Sequence, residues 1–248
     1  MIISHRHKFI FFKTKKTAGT SIEVWLSQFC GPDDILTPLT NADEEDIRQA
    51  FSGLTAQNFQ IPIHRLTLRH LLKYLFKKKR FHFYGHIPAS LVRLYMDRDI
   101  FNSYFKFCFE REPVEKALSY VRWWKAIGRI PPTEENDSFI NEEFLLRLRK
   151  GGRGIYMHGT QLMVDKIYKY ENLQNAIAEI CSKFKFDDDQ LPHLKKTSSS
   201  EKAPKGSSKP QLKKESISLI LKVFDWEYEQ LYPEMKEKWL IFLDRGHV

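Results

Sequence analysis

The chain alternates short, wholly apolar runs with longer stretches in which apolar residues recur every three or four positions. Continuous apolar runs are typical of buried strands in parallel sheets, and the three- to four-residue spacing is typical of amphipathic helices. The runs predict strands at 8–12, 81–84, 104–109 and 166–170. The helical spacing predicts helices at 20–29, 42–51, 64–78, 89–97, 113–126, 138–150, 171–184, 212–231 and 233–243.

This order of strands and helices favours an α/β fold with a central, mostly parallel sheet flanked by helices. Residues 33–38 and 151–154 are expected to form a loop and a flexible turn. Residues 195–210 form the one segment of low complexity, which is rich in serine and lysine. Since no repeat and no interdomain linker is found, we expect one domain over residues 1–248.

Composition narrows the range of ligands. The 248 residues are 42% hydrophobic, which is enough for a sizeable core, and carry a formal net charge of +9. Such a charge suits an anionic partner: nucleic acid, a nucleotide, a sulfated or phosphorylated substrate, or a membrane surface. Three widely spaced cysteines predict neither a disulfide framework nor a zinc site. Without a recognisable signal peptide or transmembrane run, a soluble cytoplasmic protein is expected.

The most informative stretch joins the first predicted strand to the first predicted helix. The apolar run Phe9–Phe12 gives way to a small and basic loop, and a helical pattern then begins at Thr20 and Ser21. A helix N-terminus after such a loop is suited to a phosphate-like anion, because unpaired backbone N–H groups and the helix dipole point at it. The candidate residues are Lys16, Thr17, Ala18, Gly19, Thr20 and Ser21. The alternative interpretation is a capped helix after a solvated lysine loop.

A second candidate anion site follows the predicted strand 104–109. Arg111 lies between that strand and a helix that starts at Pro113, where a guanidinium could grip a phosphate through two hydrogen bonds. Ser119, eight residues later, could add a hydroxyl. Taken singly, Arg111 could be a surface charge between two glutamates, and Ser119 a helix residue bonded to a preceding carbonyl.

His86 is a candidate general base, since a histidine can accept a proton from a hydroxyl near neutral pH. It follows the predicted strand 81–84, with His82 as a weaker alternate. A structural histidine at the edge of the core is the competing interpretation. Lys195 and Lys196, in the low-complexity loop, are candidates to cover an anionic ligand.

The stretch from Lys15 to Ser21, KKTAGTS, resembles the 5′-phosphosulfate-binding loop of sulfotransferases that use 3′-phosphoadenosine 5′-phosphosulfate (PAPS). It is most similar to the Golgi-type and bacterial carbohydrate sulfotransferases, whose loop reads close to PKTAGTS. Arg111 and Ser119 resemble the 3′-phosphate-binding pattern of that family, with the same spacing. His86 matches the place of the catalytic base in the uronyl 2-O-sulfotransferases, although other branches use a glutamate.

The resemblance implies a P-loop-like sulfotransferase fold and the transfer of a sulfuryl group from PAPS to an acceptor hydroxyl, leaving 3′-phosphoadenosine 5′-phosphate (PAP). It implies that Lys16 stabilises the leaving group and that His86 is the base. It further implies that residues 17–21, Arg111 and Ser119 bind the cofactor, with Lys195 and Lys196 as further candidates. A carbohydrate acceptor is expected, with no metal and no nucleic acid.

Two other functions stay open at this stage. A P-loop kinase or nucleotide hydrolase shares the strand–loop–helix arrangement, but the GxxxxGK[ST] glycines and clear magnesium ligands are not found. A non-catalytic protein that binds nucleic acid or sulfated glycans would use the positive charge alone. In that case binding would weaken steeply with salt, and Lys16 would matter no more than any other lysine.

Overall fold

The protein is built around a five-stranded sheet in a computed structural model that describes residues 1–39, 42–51, 53–77, 80–192 and 212–245. Its strands span Ile2–Ser4 (β1), Phe9–Phe12 (β2), Ile35–Leu36 (β3), Phe105–Glu110 (β4) and Lys166–Lys169 (β7). Their spatial order in the sheet is β3-β1-β2-β4-β7. A separate hairpin pairs Met157–His158 (β5) with Gln161–Leu162 (β6).

The sheet is mixed and only partly parallel. β2 pairs in parallel with β4, and β4 with β7, whereas β1 runs antiparallel to both β2 and β3. The expectation of a mostly parallel sheet is therefore corrected to an α/β fold with a mixed sheet. The strands β1 and β3, which the sequence did not predict, have only three and two residues. β3 falls within residues 33–38, which the sequence predicted to be a loop.

The prediction of a strand at 81–84 is also wrong. His82 forms only an isolated bridge with Gln60. The flanking residues bond to the same irregular segment, since the N–H of Ile61 donates to the Phe81 carbonyl at 2.9 Å. Residues 81–84 are thus extended but pair with a loop, and they add no strand to the sheet.

Twelve α-helices lie within the described residues, and short 3₁₀ turns precede several of them. Their bounds are Gly19–Ser27 (α1), Ala42–Ala50 (α2), Leu68–Lys77 (α3), Ala89–Tyr95 (α4), Arg98–Ser103 (α5), Pro113–Ala126 (α6), Glu142–Lys150 (α7), Arg153–Tyr156 (α8), Leu173–Phe184 (α9), Lys214–Val223 (α10), Asp225–Gln230 (α11) and Pro233–Asp244 (α12). The predicted helix 113–126 is confirmed to the residue, because Pro113 occupies the first turn and Glu112 caps it.

The core lies on both faces of the sheet. In β2, Phe9 and Phe11 pack into one cluster with α1 and α9, while Ile10 and Phe12 pack into another cluster on the opposite face. This alternation is what a strand buried on both faces requires. A third cluster joins α6 and α7 to the C-terminal helices. Within the described residues, no helix is long and apolar enough to cross a membrane.

The parallel pairing of β2 with β4 determines the position of the site. Phe12 lies opposite Cys108, so the carboxyl ends of both strands reach the same edge of the sheet. In open α/β sheets, ligands bind outside the carboxyl ends of the strands. The β2–α1 loop, which contains Lys16, and Arg111 after β4 both begin at this edge.

Candidate functional site

The β2–α1 loop has a backbone suited to an anion. Lys16 and Ala18 have φ angles of 66° and 56°, in the left-handed region, which costs about 1–2 kcal/mol for each such residue. Turns that alternate left- and right-handed residues aim successive N–H groups to one side and form anion-binding concavities. Ala18 is the N-cap of α1, and no side chain caps this helix end. The N–H groups of the first turn, at Gly19 to Ser21, therefore lack the usual capping partner.

Close packing keeps the loop against the sheet. The Thr14 hydroxyl donates to the Phe109 carbonyl in β4, which ties the loop directly to the neighbouring strand. The Thr17 hydroxyl lies 2.9 Å from that of Thr14, so in this structure it is engaged inside the loop. A Cβ atom on Gly19 would lie only 2.7 Å from Cγ of Lys13, so glycine allows the helix to start this close to the strand end.

Lys13 has a structural partner. Its Nζ lies 2.9 Å from Oε2 of Glu23 on α1, and both side chains are buried. Glu23 also contacts the α-amino group of Met1 at 2.6 Å and Arg48 at 3.4 Å. Burial alone would raise the pKa of Glu23, but these three positive groups together hold it at about 2. Lys13 is thus held in a buried ion pair within the protein.

Lys15 and Lys16 instead extend towards aromatic rings of α6. Nζ of Lys16 lies 5.3 Å from the centre of the Trp123 ring, and Nζ of Lys15 lies 5.9 Å from that of Tyr120. Burial and the charges of neighbouring basic residues lower the pKa of Lys15; these neighbours are Arg147, Lys116 and Lys150. The lowered pKa means that the cationic form is penalised here, and an anion bound at the loop would relieve that penalty.

Arg111 is held in place between two buried glutamates. Glu110, the last residue of β4, pairs with Lys116 and accepts a hydrogen bond of 3.1 Å from Tyr156. Glu112 caps α6 and accepts hydrogen bonds from the Tyr228 hydroxyl and the Trp239 indole. Glu110 also accepts a hydrogen bond of 2.9 Å from the backbone N–H of Arg111, whereas the guanidinium pairs with Glu115.

The guanidinium of Arg111 is only partly satisfied. Its centre stacks 4.5 Å above the Tyr170 ring, and Nη2 donates to Glu115 at 3.2 Å. Its Nε is buried and has no hydrogen-bond acceptor in the described part of the chain. A buried donor without an acceptor costs about 1–3 kcal/mol, which a bound anion would recover.

One face of α6 connects the two anion motifs. Glu115, Ser119 and Trp123 are spaced four residues apart, so they lie in one row along the helix. Arg111 contacts the first of these residues, and Lys16 contacts the last. With a rise of 1.5 Å per residue, the row spans about 12 Å. Ser119 is half-buried in the middle of this row.

His86 reaches the same loop from the segment before α4. Its Nδ1 lies 2.9 Å from the carbonyl oxygen of Lys13. A carbonyl can only accept, so Nδ1 carries the proton in the neutral ring and Nε2 keeps its lone pair. Burial lowers the pKa of His86 to about 4, and the charges of Lys13 and Lys15 act in the same direction. His86 is therefore neutral at pH 7.

The structure brings most of the predicted site residues to one edge of the sheet. Residues 16–21 form the loop and the first turn, His86 contacts the start of the loop, and Arg111 follows the adjoining strand. Lys195 and Lys196 lie outside the described residues. Among the described residues, no group of three or more His, Cys, Asp or Glu side chains could hold a metal ion.

The sequence alone did not identify the aromatic rings that contact the site's cations. These rings are Tyr120 under Lys15, Trp123 under Lys16 and Tyr170 under Arg111. Trp123 could have been found from its spacing, since it lies four residues after Ser119 on the predicted helix. Tyr170 could have been found from the order of elements, since it follows β7, the parallel neighbour of β4.

Comparisons of the chain with protein-family models, curated proteins and solved structures gave no match.

Proposed function

We propose that this protein is a PAPS-dependent sulfotransferase with a P-loop-like sulfotransferase fold. It moves a sulfuryl group from PAPS to an acceptor hydroxyl, which on the family resemblance is a carbohydrate hydroxyl. The observation that carries the proposal is the meeting of the β2–α1 loop, Arg111 and His86 at one sheet edge. The Thr14–Phe109 hydrogen bond and the contact of His86 with Lys13 link these parts.

The residues fit a ligand with two separate anionic groups. The uncapped N-terminus of α1 and the left-handed loop residues Lys16 and Ala18 suit the 5′-phosphosulfate. The buried Nε of Arg111 suits the 3′-phosphate. Ser119 lies between them on α6, where its hydroxyl can donate to the same phosphate. When bound, PAPS supplies the activated sulfuryl group.

His86 is suited to remove the proton of the acceptor. Its Nδ1 proton is fixed on the Lys13 carbonyl, which leaves Nε2 as the accepting atom. The pKa of about 4 keeps the ring neutral and able to accept a proton at physiological pH, but without bound ligand it also makes His86 a weak base. Binding of an anion beside Lys15 would oppose the field of the lysines and raise the basicity of His86.

Lys16 is suited to stabilise the leaving group. In the proposed transfer, a bond would form between sulfur and the acceptor oxygen while the bond from sulfur to the bridging oxygen breaks. The proton of the hydroxyl would go to Nε2 of His86, and negative charge would develop on the 5′-phosphate. Nζ of Lys16 would move from the Trp123 ring to this phosphate, where a fixed cation stabilises the transition state more than the ground state.

The experiment that tests this function uses ³⁵S-labelled PAPS and a panel of glycan, glycolipid and small-alcohol acceptors. Wild-type protein should transfer label to at least one acceptor. Lys16→Ala and His86→Ala should each lose most of this activity, and His86→Ala should keep measurable PAP binding.

A protein that hydrolyses ATP with magnesium and transfers no label would be a nucleotide kinase or hydrolase. A protein that binds polyanions with steep salt dependence, and loses no more affinity with Lys16→Ala than with other lysine variants, would be a non-catalytic polyanion-binding protein. Near-normal turnover by His86→Ala would mean that a carboxylate is the base.

A further inference from the structure

The positive charge of the chain is concentrated in one segment. Residues 47–96 contain nine Lys and Arg and no Asp or Glu. The rest of the chain holds 31 basic and 31 acidic residues, because all 31 acids and all but nine of the 40 basic residues lie there. The formal net charge of +9 thus equals the charge of residues 47–96, which include α3. Two of the nine basic residues, Arg48 and Arg65, pair in the fold with Glu45 and Asp97, just outside this segment.

α3 faces the protein with a polar and aromatic contact. His70 lies 2.6 Å from the Tyr95 hydroxyl of α4 through its Nδ1, and its ring is 4.7 Å from that of Phe81. Leu71 beside it is half-buried. The helix is therefore attached to the domain by the side that carries His70.

The outer side of α3 is apolar. Leu68, Leu72, Leu75 and Phe76 are 74%, 45%, 60% and 81% exposed. Their spacing of four, seven and eight residues places them on one face of the helix. A surface helix ordinarily turns such a face towards the core, so this face is unusual in pointing to solvent.

Basic residues border this apolar face. Arg69 and Lys73 are four residues apart and lie in a row next to Leu72 and Phe76. Arg65 precedes the helix, Lys77 is its last residue, and the sequence continues with Lys78, Lys79 and Arg80. No acidic residue occurs in α3. Arg65 pairs with Asp97 at 3.3 Å, so Arg69 and Lys73 are the helix cations on which the proposal rests. A short apolar stripe bordered by cations is the pattern of helices that lie in the surface of an anionic membrane.

We propose that α3 docks this protein onto an anionic lipid surface, with Leu72 and Phe76 entering the acyl boundary and Arg69 and Lys73 contacting the headgroups. A second copy of the chain fits less well, because pairing two such faces would bring two segments of high positive charge together. A nucleic acid would be bound by the cations but would leave the leucine stripe exposed to water.

Vesicle flotation tests this proposal with the intact protein. Vesicles of phosphatidylcholine mixed with phosphatidylglycerol should carry the protein, and vesicles of phosphatidylcholine alone should carry much less. Phe76→Glu should lower the partition coefficient by more than about tenfold, because burial of one large apolar side chain supplies about 1.5–3 kcal/mol. Arg69→Gln and Lys73→Gln should each lower it by about fivefold, at about 1 kcal/mol per cation.

Leu72→Glu and Leu240→Glu form a matched pair, since Leu240 on α12 is 50% exposed but lies outside the basic segment. Leu72→Glu should reduce flotation, and Leu240→Glu should leave it unchanged. Circular dichroism confirms that each variant is folded. Equal loss with both variants, or no flotation by wild-type protein, would overturn the proposal. So would a dimer in analytical ultracentrifugation that Leu72→Glu dissociates, with no lipid binding.

Discussion

The protonation state of His86 allows a sharp test of the site's geometry. Burial lowers its pKa to about 4, and the Lys13 carbonyl holds the proton on Nδ1. At about pH 5.5, an imidazole with the ordinary pKa of about 6.5 would be about one-tenth neutral. His86 should be almost wholly neutral at that pH, so its unprotonated fraction should be about tenfold larger.

Long-range ¹H–¹⁵N correlation spectra of protein labelled at histidine measure this fraction directly and need no acceptor. Nine histidines give nine ring systems, and His86→Gln assigns the relevant one. We expect the Nδ1–H tautomer near neutral pH, with protonation only as the pH approaches 4. Since the folded pKa lies below the unfolded value, the stability conferred by neutral His86 is complete above about pH 6.5. It is lost as the pH falls towards 4.

A charge variant separates the effect of burial on the pKa of His86 from the effect of the neighbouring lysine charges. Lys15→Gln should raise the pKa of His86, because Lys15 is one of the cations that lower it. Lys236→Gln, at an exposed ion pair with Glu229, should leave it unchanged. A His86 ring that titrates near pH 6.5 would refute the effect of burial on its pKa. A ring that carries its proton on Nε2 would refute the hydrogen bond from Nδ1 to the Lys13 carbonyl.

Three further predictions concern the anion motifs and the fold that supports them. Arg111→Ala should weaken PAP binding by about 10- to 150-fold in calorimetry, at 1.5–3 kcal/mol for a charge-assisted hydrogen bond, whereas Arg65→Ala should not. Unchanged PAP affinity in Arg111→Ala would exclude Arg111 from binding the 3′-phosphate. Lys16→Ala should abolish label transfer from PAPS in a single-turnover assay, and retained transfer would exclude Lys16 as the group that stabilises the leaving group. Glu23→Gln should lower the free energy of unfolding in urea by about 3–5 kcal/mol, because it leaves Lys13 buried without its partner. The stability that ionised Glu23 confers is lost as the pH falls from about 4.5 towards 2. The difference in unfolding free energy between wild type and Glu23→Gln should therefore shrink over that range, and a constant difference would contradict the low pKa.

The sequence predicted the elements with strong local signals. The helix 113–126 and the strand before it were found because a clear apolar run is followed within a few residues by Pro113, which suits the first turn of a helix. The strands β1 and β3 were missed, since two or three residues give no period to recognise. Residues 81–84 have the composition of a strand, but whether such a run joins a sheet depends on which partner is nearest, and here the partner is a loop.

The site shows the same limit. The loop chemistry at Lys16 to Ser21 and the charge at Arg111 could be inferred from residue types and spacing. Which lysine is held in a structural ion pair could not be inferred, because the pairing of Lys13 with Glu23 depends on how α1 packs against the sheet. The tautomer of His86 likewise depends on a carbonyl 73 positions away in sequence.

The most direct measurement of the central claim is a calorimetric titration of the protein with PAP, compared with AMP and with ATP plus magnesium. PAP carries phosphates at the 3′ and 5′ positions, and AMP lacks the 3′-phosphate assigned to Arg111. We predict one PAP site per chain and clearly weaker binding of AMP. Equal affinity for PAP and AMP, or binding of magnesium ATP without binding of PAP, would contradict the proposed sulfotransferase site.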